Sequence, residues 1–426
     1  MKRLILKNGR VIDPAGGVDE TLDLLLEEGR IAGVEKKISL KGVEVFDAAG
    51  LVVAPGFIDL HVHLREPGYE RKETIATGLR AALAGGFTGV CCMPNTDPVN
   101  DCASVTRFIL EKARAASPVA VYPIGAVTRG SRGEELAPLY ELKEAGVRAI
   151  SDDGQPVRRA SILRRALEYG GSLGLLVIDH CEDPDLAEGG AMHEGEVSTR
   201  LGLKGIPAEA ESIPVTRDIA LAAMTGHPVH IAHVSTRLAV EAIRAAKKRR
   251  VPVTAEATPH HFTLTHEAVA SFDTRYKMNP PLRTQKDVDA VIEGLADGTL
   301  DAIATDHAPH TYEEKLQEFD RAPNGVIGLQ TAVPLALDRL VRTDRVSLKR
   351  VVDAFSTAPA RILGLEGKGR IAPGYDADLT LLNLRKEFVF QEKDVLSLSR
   401  NSPFFGMRLK GAVAGVFIAG TFYGAP

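Results

Sequence analysis

The sequence predicts an α/β fold: a TIM-like (β/α)8 barrel with a small composite β-sandwich domain built from both termini. Three observations carry this. Short β-branched or apolar runs alternate with Ala- and Leu-rich helical stretches through the middle of the chain. There are eight such runs, and residue types that bind metals collect where they end. Strand–helix alternation requires parallel strands covered by helices, and eight such units closing on themselves make a barrel.

In chain order, residues 1–55 hold short alternating runs (Leu4–Leu6, Leu22–Leu26, Leu51–Val53) separated by glycine turns. Residues 56–364 carry the predicted barrel strands: Phe57–Leu64, Gly89–Asn95, Val119–Ala126, Arg148–Asp153, Leu175–Glu182, Val229–Ser235, Val253–His260 and Ala302–Pro309. Helices are predicted between them at Glu73–Ala84, Ser104–Ala115, Glu135–Ala145, Ala160–Tyr169, Thr216–Thr225 and Thr236–Lys248. In the last of these, Leu238, Ala242 and Ala245 recur at spacings of three and four, which places them on one face. Residues 365–426 return to short strands, Leu379–Leu382 and Val413–Ile418. There the stretch G-R-I-A-P-G-Y-D-A-D-L-T-L-L reads as a Gly/Pro turn and a re-entering strand. The expected division is a barrel of 56–364 and a β-domain of 1–55 plus 365–426.

Composition narrows the function. With 426 residues, 44% hydrophobic and 25% charged, the chain is neither disordered nor too short for a large core. A net charge of -4 provides no global field for nucleic acid or anionic lipid. No apolar run reaches the roughly 18 residues of a membrane span, and M-K-R-L-I-L-K-N-G-R is too polar for a signal peptide, so the expected compartment is the cytoplasm. Cys91, Cys92, Cys102 and Cys181 show no C-x-x-C spacing and are expected to be reduced thiols. The absence of Trp, scarce Asn and Gln, and Arg in excess of Lys fit a heat-adapted source.

The chemistry is expected at the strand ends, where barrel enzymes place their active sites. His61 and His63, two apart on a strand, project from one face. Asp153, His180, His233 and Asp306 each fall at or near the end of a different run. Four imidazoles and two carboxylates on one rim suit one or two borderline-soft divalent ions, zinc first. No lysine ends the fourth strand, since Lys143 lies in a helical run, so a plain carboxylate is expected to bridge a metal pair. Whether Asp152 or Asp153 does so depends on register, and parity favours Asp153. His193, His227, His230, His260, His261 and His307 are read as hydrogen-bonded structural residues. His230 has strand parity opposite to His233.

The runs D-L-H-V-H-L-R-E-P-G at Asp59–Gly68 and A-T-D-H-A-P-H-T-Y-E-E-K at Ala304–Lys315 resemble the two signature segments of the dihydroorotases, members of the amidohydrolase superfamily. C-M-P-N-T at Cys92–Thr96, S-D-D-G at Ser151–Gly154 and S-P-F-F-G at Ser402–Gly406 also fit, and the aspartate at the bridge resembles the class I, mostly bacterial, type. The resemblance implies a barrel of the metal-dependent hydrolase type. It also implies reversible cyclisation of N-carbamoyl-L-aspartate to L-dihydroorotate plus water, the third step of de novo pyrimidine synthesis. It assigns His61, His63 and Asp306 to one zinc, His180 and His233 to a second, and Asp153 to both. A metal-bound hydroxide would attack the ring carbonyl with Asp306 as general base and then acid. Substrate contacts are implied for His63, Arg65, Asn95, Asn279 and His310, and for the main chain at Asn324 and Gly325, where A-P-N-G replaces the more familiar A-P-F-G. The chemistry agrees: an anionic substrate needs a cationic fork such as Arg65, and amides such as Asn95 and Asn279 match a ring amide. A homodimer and a complex with aspartate transcarbamoylase are the implied partners. The competing readings are another cyclic-amide hydrolase, which normally carries a strand-end lysine, and a silent scaffold barrel, which would lose metal ligands.

Overall fold

The structure is a computed structural model describing residues 3–425; residues 1, 2 and 426 of the expected terminal domain lie outside it. Eight parallel strands form one sheet in chain order: Phe57–Val62, Phe87–Cys92, Ala120–Gly125, Ala149–Ile150, Leu176–Asp179, Val229–Ile231, Val253–Ala257 and Ala302–Ile303. Each overlaps one of the eight predicted runs. The first and last strands share no ladder. A single parallel bridge, Val62 to His307, closes the curve, with the His63 N–H donating to the His307 carbonyl at 2.9 Å. The buried Asp59 carboxylate reinforces that seam by accepting from the Thr305 N–H at 3.0 Å and the His61 N–H at 3.1 Å. The result is a nearly closed barrel.

Helices cover the outside at Ile75–Ala84, Ala103–Ala116, Leu139–Glu144, Ala160–Ser172, Glu209–Thr225 and Arg237–Lys248, near the predicted stretches. Leu139–Glu144 starts late because Pro138 is its cap, and Glu209–Thr225 begins seven residues before the predicted start, with Pro214 inside it. In Arg237–Lys248 the Thr236 hydroxyl caps the Ala239 N–H. The core face of that helix is Ala239, Val240, Ile243 and Ala246; Leu238 and Ala242 are half-buried and Ala245 is exposed, so the predicted face flanks the core one. Gln285–Asp297 and Leu348–Phe355 are further helices.

The terminal strands Arg3–Asp13, Val18–Glu27, Arg30–Glu35, Glu44–Asp47 and Val52–Pro55 join Leu379–Val389, Arg408–Ile418 and Thr421–Gly424 in one eight-stranded mixed sheet. The sheet has its own apolar cluster (Leu6, Leu24, Leu26, Leu379, Leu381, Phe417), while Ile12, Val52, Val413 and Val416 belong to the barrel's core with Phe57 and Phe355. Cys91, Cys92 and Cys181 are buried free thiols, and Cys102 is half-buried. Among the described residues no helix is long and apolar enough to cross a membrane.

Candidate active site

A cavity of about 400 Å³ opens at the carboxyl ends of the barrel strands. Of the predicted site residues, His63, Arg65, Asn95, Asp153, His180, His233, Asn279, Asp306, His310, Asn324 and Gly325 line it. His61 is fully buried beneath its floor.

Asp153 lies at the centre. Its Oδ2 is 3.4 Å from His61 Nε2 and 3.5 Å from His63 Nε2, and its Oδ1 is 3.4 Å from His180 Nδ1 and 3.5 Å from His233 Nε2. Asp306 Oδ1 is 3.1 Å from His63 Nε2 and 3.6 Å from His61 Nε2. The neighbouring Asp152 turns away and accepts from the Thr128 N–H at 3.0 Å and from the Thr128 hydroxyl. These groups sit just past the strands. The fourth strand ends at Ile150 and the eighth at Ile303, each three residues before its aspartate. His233 and Asp306 adopt left-handed φ values of 31° and 46°, and Arg65 one of 62°. Such backbone is costly for non-glycine residues and is kept where the surroundings over-determine it.

The donor set fits a divalent ion. His61 Nε2 and Asp153 Oδ1 are buried and lack a hydrogen-bond partner, a costly state unless something else satisfies them. One atom each from His61, His63 and Asp306, and one each from His61, Asp153 and His233, lie within 4.8 Å of one another. Burial opposes charge on both carboxyls, yet the surrounding histidines, His61 first, hold Asp153 well below the ordinary range and Asp306 likewise low. The same carboxylates overcome burial to push His61 well up, and at His180 burial is overcome by Asp153 and Glu182, which push it to about 10. The cluster therefore attracts positive charge. Nitrogen and carboxylate donors without thiolates suit zinc and similar ions.

Three orienting contacts have no counterpart in the sequence reading. Glu256, fully buried, receives His61 Nδ1 at 2.9 Å on one oxygen and His230 Nε2 at 3.1 Å on the other. It is held at about 2, burial being outweighed by these two histidines. His230 thus reaches the site's second layer through Glu256; the chain leaves strand geometry before His233, so parity does not separate the two. Glu182 lies 3.6 Å from His180 Nε2 and accepts from Asn279 at 3.1 Å. Asn95 Oδ1 faces His63 Nδ1 at 2.9 Å, which leaves its NH2 group for the cavity. Carboxylate or carbonyl partners of this kind fix the tautomer and ring orientation of ligating histidines.

Arg65 forms the cationic wall. Its guanidinium donates to the Pro309 carbonyl at 3.3 Å and to His310 Nε2 at 3.4 Å. His310 Nδ1 faces Glu314 at 3.3 Å, and Glu314 pairs with Lys72 at 3.0 Å. Burial and the charges of Arg65 and Lys72 push His310 down to about 3, so it is a neutral ring. Its Nε2 accepts from Arg65 when Nδ1 carries the proton.

The chain is similar to known proteins over nearly its whole length. A family model described as dihydro-orotase-like matches residues 50–239, and one described as amidohydrolase family matches 269–421. A dihydroorotase of Solibacter usitatus is 51% identical over 98% of this chain and 97% of its own length. One of Pelotomaculum thermopropionicum is 54% identical over 98% and 97%. Among solved structures, a dihydropyrimidinase from Brevibacillus agri superposes with a TM-score of 0.87 at 26% identity, covering 99% of this chain and 94% of that one.

Proposed function

The chain belongs to the dihydroorotase family of the amidohydrolases, and from that premise we propose how its residues close and open the dihydroorotate ring. The activity is that of a cyclic-amide hydrolase: reversible loss of water from N-carbamoyl-L-aspartate to give L-dihydroorotate. In our reading His61, His63, Asp153, His180, His233 and Asp306 would hold two zinc ions, with Asp153 the carboxylate common to all four histidines. The observation that supports it is the convergence of four histidines within 3.5 Å of the Asp153 carboxylate. A divalent ion bound there polarises the ring carbonyl and makes water a nucleophile near neutral pH.

The protein's own groups do the rest. Arg65 binds the substrate carboxylate as a two-pronged fork, beside the neutral ring of His310 and the main chain of Asn324 and Gly325. The Asn95 NH2 and Asn279 hold the ring amide. Asp306, ionised, takes the proton of the attacking water and delivers it to the ring nitrogen as the C–N bond breaks. In the reverse direction it protonates the oxygen that leaves as water. Two carboxylates become one on ring closure, so a proton is consumed and lower pH favours dihydroorotate.

The chain on this reading divides into a barrel of 56–364 and a composite unit of 1–55 plus 365–426. It acts in the cytoplasm, as a homodimer or with aspartate transcarbamoylase. The test is a direct assay of ring opening and closure on dihydroorotate, allantoin and hydantoin, with metal analysis of the same sample. Turnover of dihydroorotate with about two zinc ions per chain is expected; a metal-free, inactive protein would defeat the reading.

A further inference from the structure

The motif S-P-F-F-G and the residues before it lie far along the chain from every candidate site residue, yet they fold against the loops of the cavity. The Ser397 hydroxyl and the Leu398 N–H bond to the buried Glu73, the latter at 3.1 Å. The Ser399 hydroxyl bonds to the Lys72 carbonyl at 2.6 Å. At the end of this strap, Asn401 is 4% exposed and uses its whole side-chain amide. Its Oδ1 accepts from the His310 N–H at 3.1 Å. Its Nδ2 donates to the Ala308 carbonyl and to the Gly325 carbonyl, each at 3.0 Å. Its own carbonyl accepts from the Ile327 N–H at 3.0 Å.

We propose that Asn401 is a positioning residue for substrate binding, clamping the backbone of His310 to that of Gly325 across the segment between them. Asn401 does not line the cavity, so its action passes through those two residues. Only a primary amide of this length offers two donors and an acceptor at once: serine has one donor and aspartate has none. Without the clamp, three buried backbone groups lose their partners, and the loop must shift to satisfy them. A shift approaching 1 Å at a binding group costs up to two orders of magnitude. Asn401 touches no candidate metal ligand, so its effect is expected on KM rather than on metal content.

The inference rests on the reading that His310 and Gly325 meet substrate, and the experiment separates the two. Steady-state kinetics on dihydroorotate are measured for Asn401→Ala, His310→Ala and Phe404→Leu, with thermal unfolding and zinc content on each. Phe404, 1% exposed on the same strap, is the control for simple destabilisation. Asn401→Ala is expected to raise KM about tenfold or more with kcat within about threefold and zinc unchanged, while Phe404→Leu lowers the unfolding temperature and leaves KM alone. An increased KM in His310→Ala but not in Asn401→Ala overturns the clamp. If neither raises KM, the substrate reading falls and takes the clamp with it. An increase in Asn401→Ala alone supports the clamp acting through Gly325 and removes His310 from the binding site. Equal rises in Asn401→Ala and Phe404→Leu reduce Asn401 to a structural residue.

Discussion

Both oxygens of Glu256 face histidines, and this makes it the most consequential residue outside the candidate ligand set. Glu256→Gln keeps the shape but loses the charge, and it turns an NH2 group toward one of the two rings. We expect metal affinity to fall by about 10–100-fold, measured by chelator competition; unchanged affinity would mean that packing alone holds His61. His61→Ala and Asp306→Ala should abolish turnover while far-UV circular dichroism stays native, and normal rates in either variant would defeat the assigned roles. Arg65→Met should raise KM for carbamoyl aspartate with little loss of stability. The residue pattern was partly legible. His61 and His63 could be paired because a pleated strand puts alternate residues on one face. Between Asp152 and Asp153, parity favoured Asp153, although the chain leaves the sheet at Ile150 and strict alternation no longer applies there. Glu256 escaped notice because V-T-A-E-A matches no motif. The usable signal was a carboxylate inside a strand buried on both faces, where charge survives only when paired.

At the scale of elements, the segment 311–325 shows how the rim is built. Thr311 caps the short helix Tyr312–Lys315, and the buried Lys315 ammonium donates to the carbonyls of Thr274, Lys277 and Pro323 at 3.0, 3.2 and 2.8 Å. Burial, then the Lys277 charge, pushes Lys315 down to about 7 from an ordinary 10.5. Between those values the unfolded chain binds a proton that the folded chain does not, so stability contributed by this group rises with pH across that window, by at most about 1.4 kcal/mol per pH unit. Below about 7 both states are protonated and the dependence vanishes. Chemical denaturation between pH 6 and 10 checks this: Lys315→Met should flatten the rise, and an identical slope in the variant would refute it. Gly325 closes the segment at φ 141°, where a Cβ would lie 2.7 Å from the Ala308 carbonyl oxygen and 3.1 Å from the His310 ring. Gly325→Ala should therefore raise KM without changing zinc content. Elements were legible where periodicity was clean. The helix Gln285–Asp297 is not among the predicted stretches, although Val288, Val291, Ile292 and Leu295 recur at helical spacing between the Thr284 cap and a left-handed Gly298. The start of Glu209–Thr225 was missed because its first turns bury Ala210 and Glu211 rather than an apolar stripe.

For the molecule as a whole, the question is whether the terminal sheet and the barrel unfold as one body. Chains of this length commonly unfold in separate steps. Here the seam is part of the core. Val413 and Val416 of the sheet share a buried cluster with Phe57, Phe87 and Phe355 of the barrel side, and Phe57 stacks on Phe355 at 5.2 Å. Polar groups cross the seam too: the Thr380 hydroxyl accepts from the Phe57 N–H at 3.1 Å and donates to the Gly86 carbonyl at 2.8 Å, and the Gly56 N–H donates to the Asp378 carbonyl at 2.8 Å. Exposing that seam would uncover apolar surface at roughly 25 cal/mol per Å², so losing the sheet should take the barrel with it. Calorimetry is therefore expected to give one endotherm, with matching van't Hoff and calorimetric enthalpies. Far-UV circular dichroism should report the same midpoint, since the chain has no tryptophan to follow. Thr380→Val leaves the buried Phe57 N–H and Gly86 carbonyl without their partner and should cost about 1–3 kcal/mol. The single transition should move to lower temperature without dividing. Two resolved transitions, in the parent chain or in that variant, would show that the sheet is an independent body and that its contacts do not stabilise the barrel.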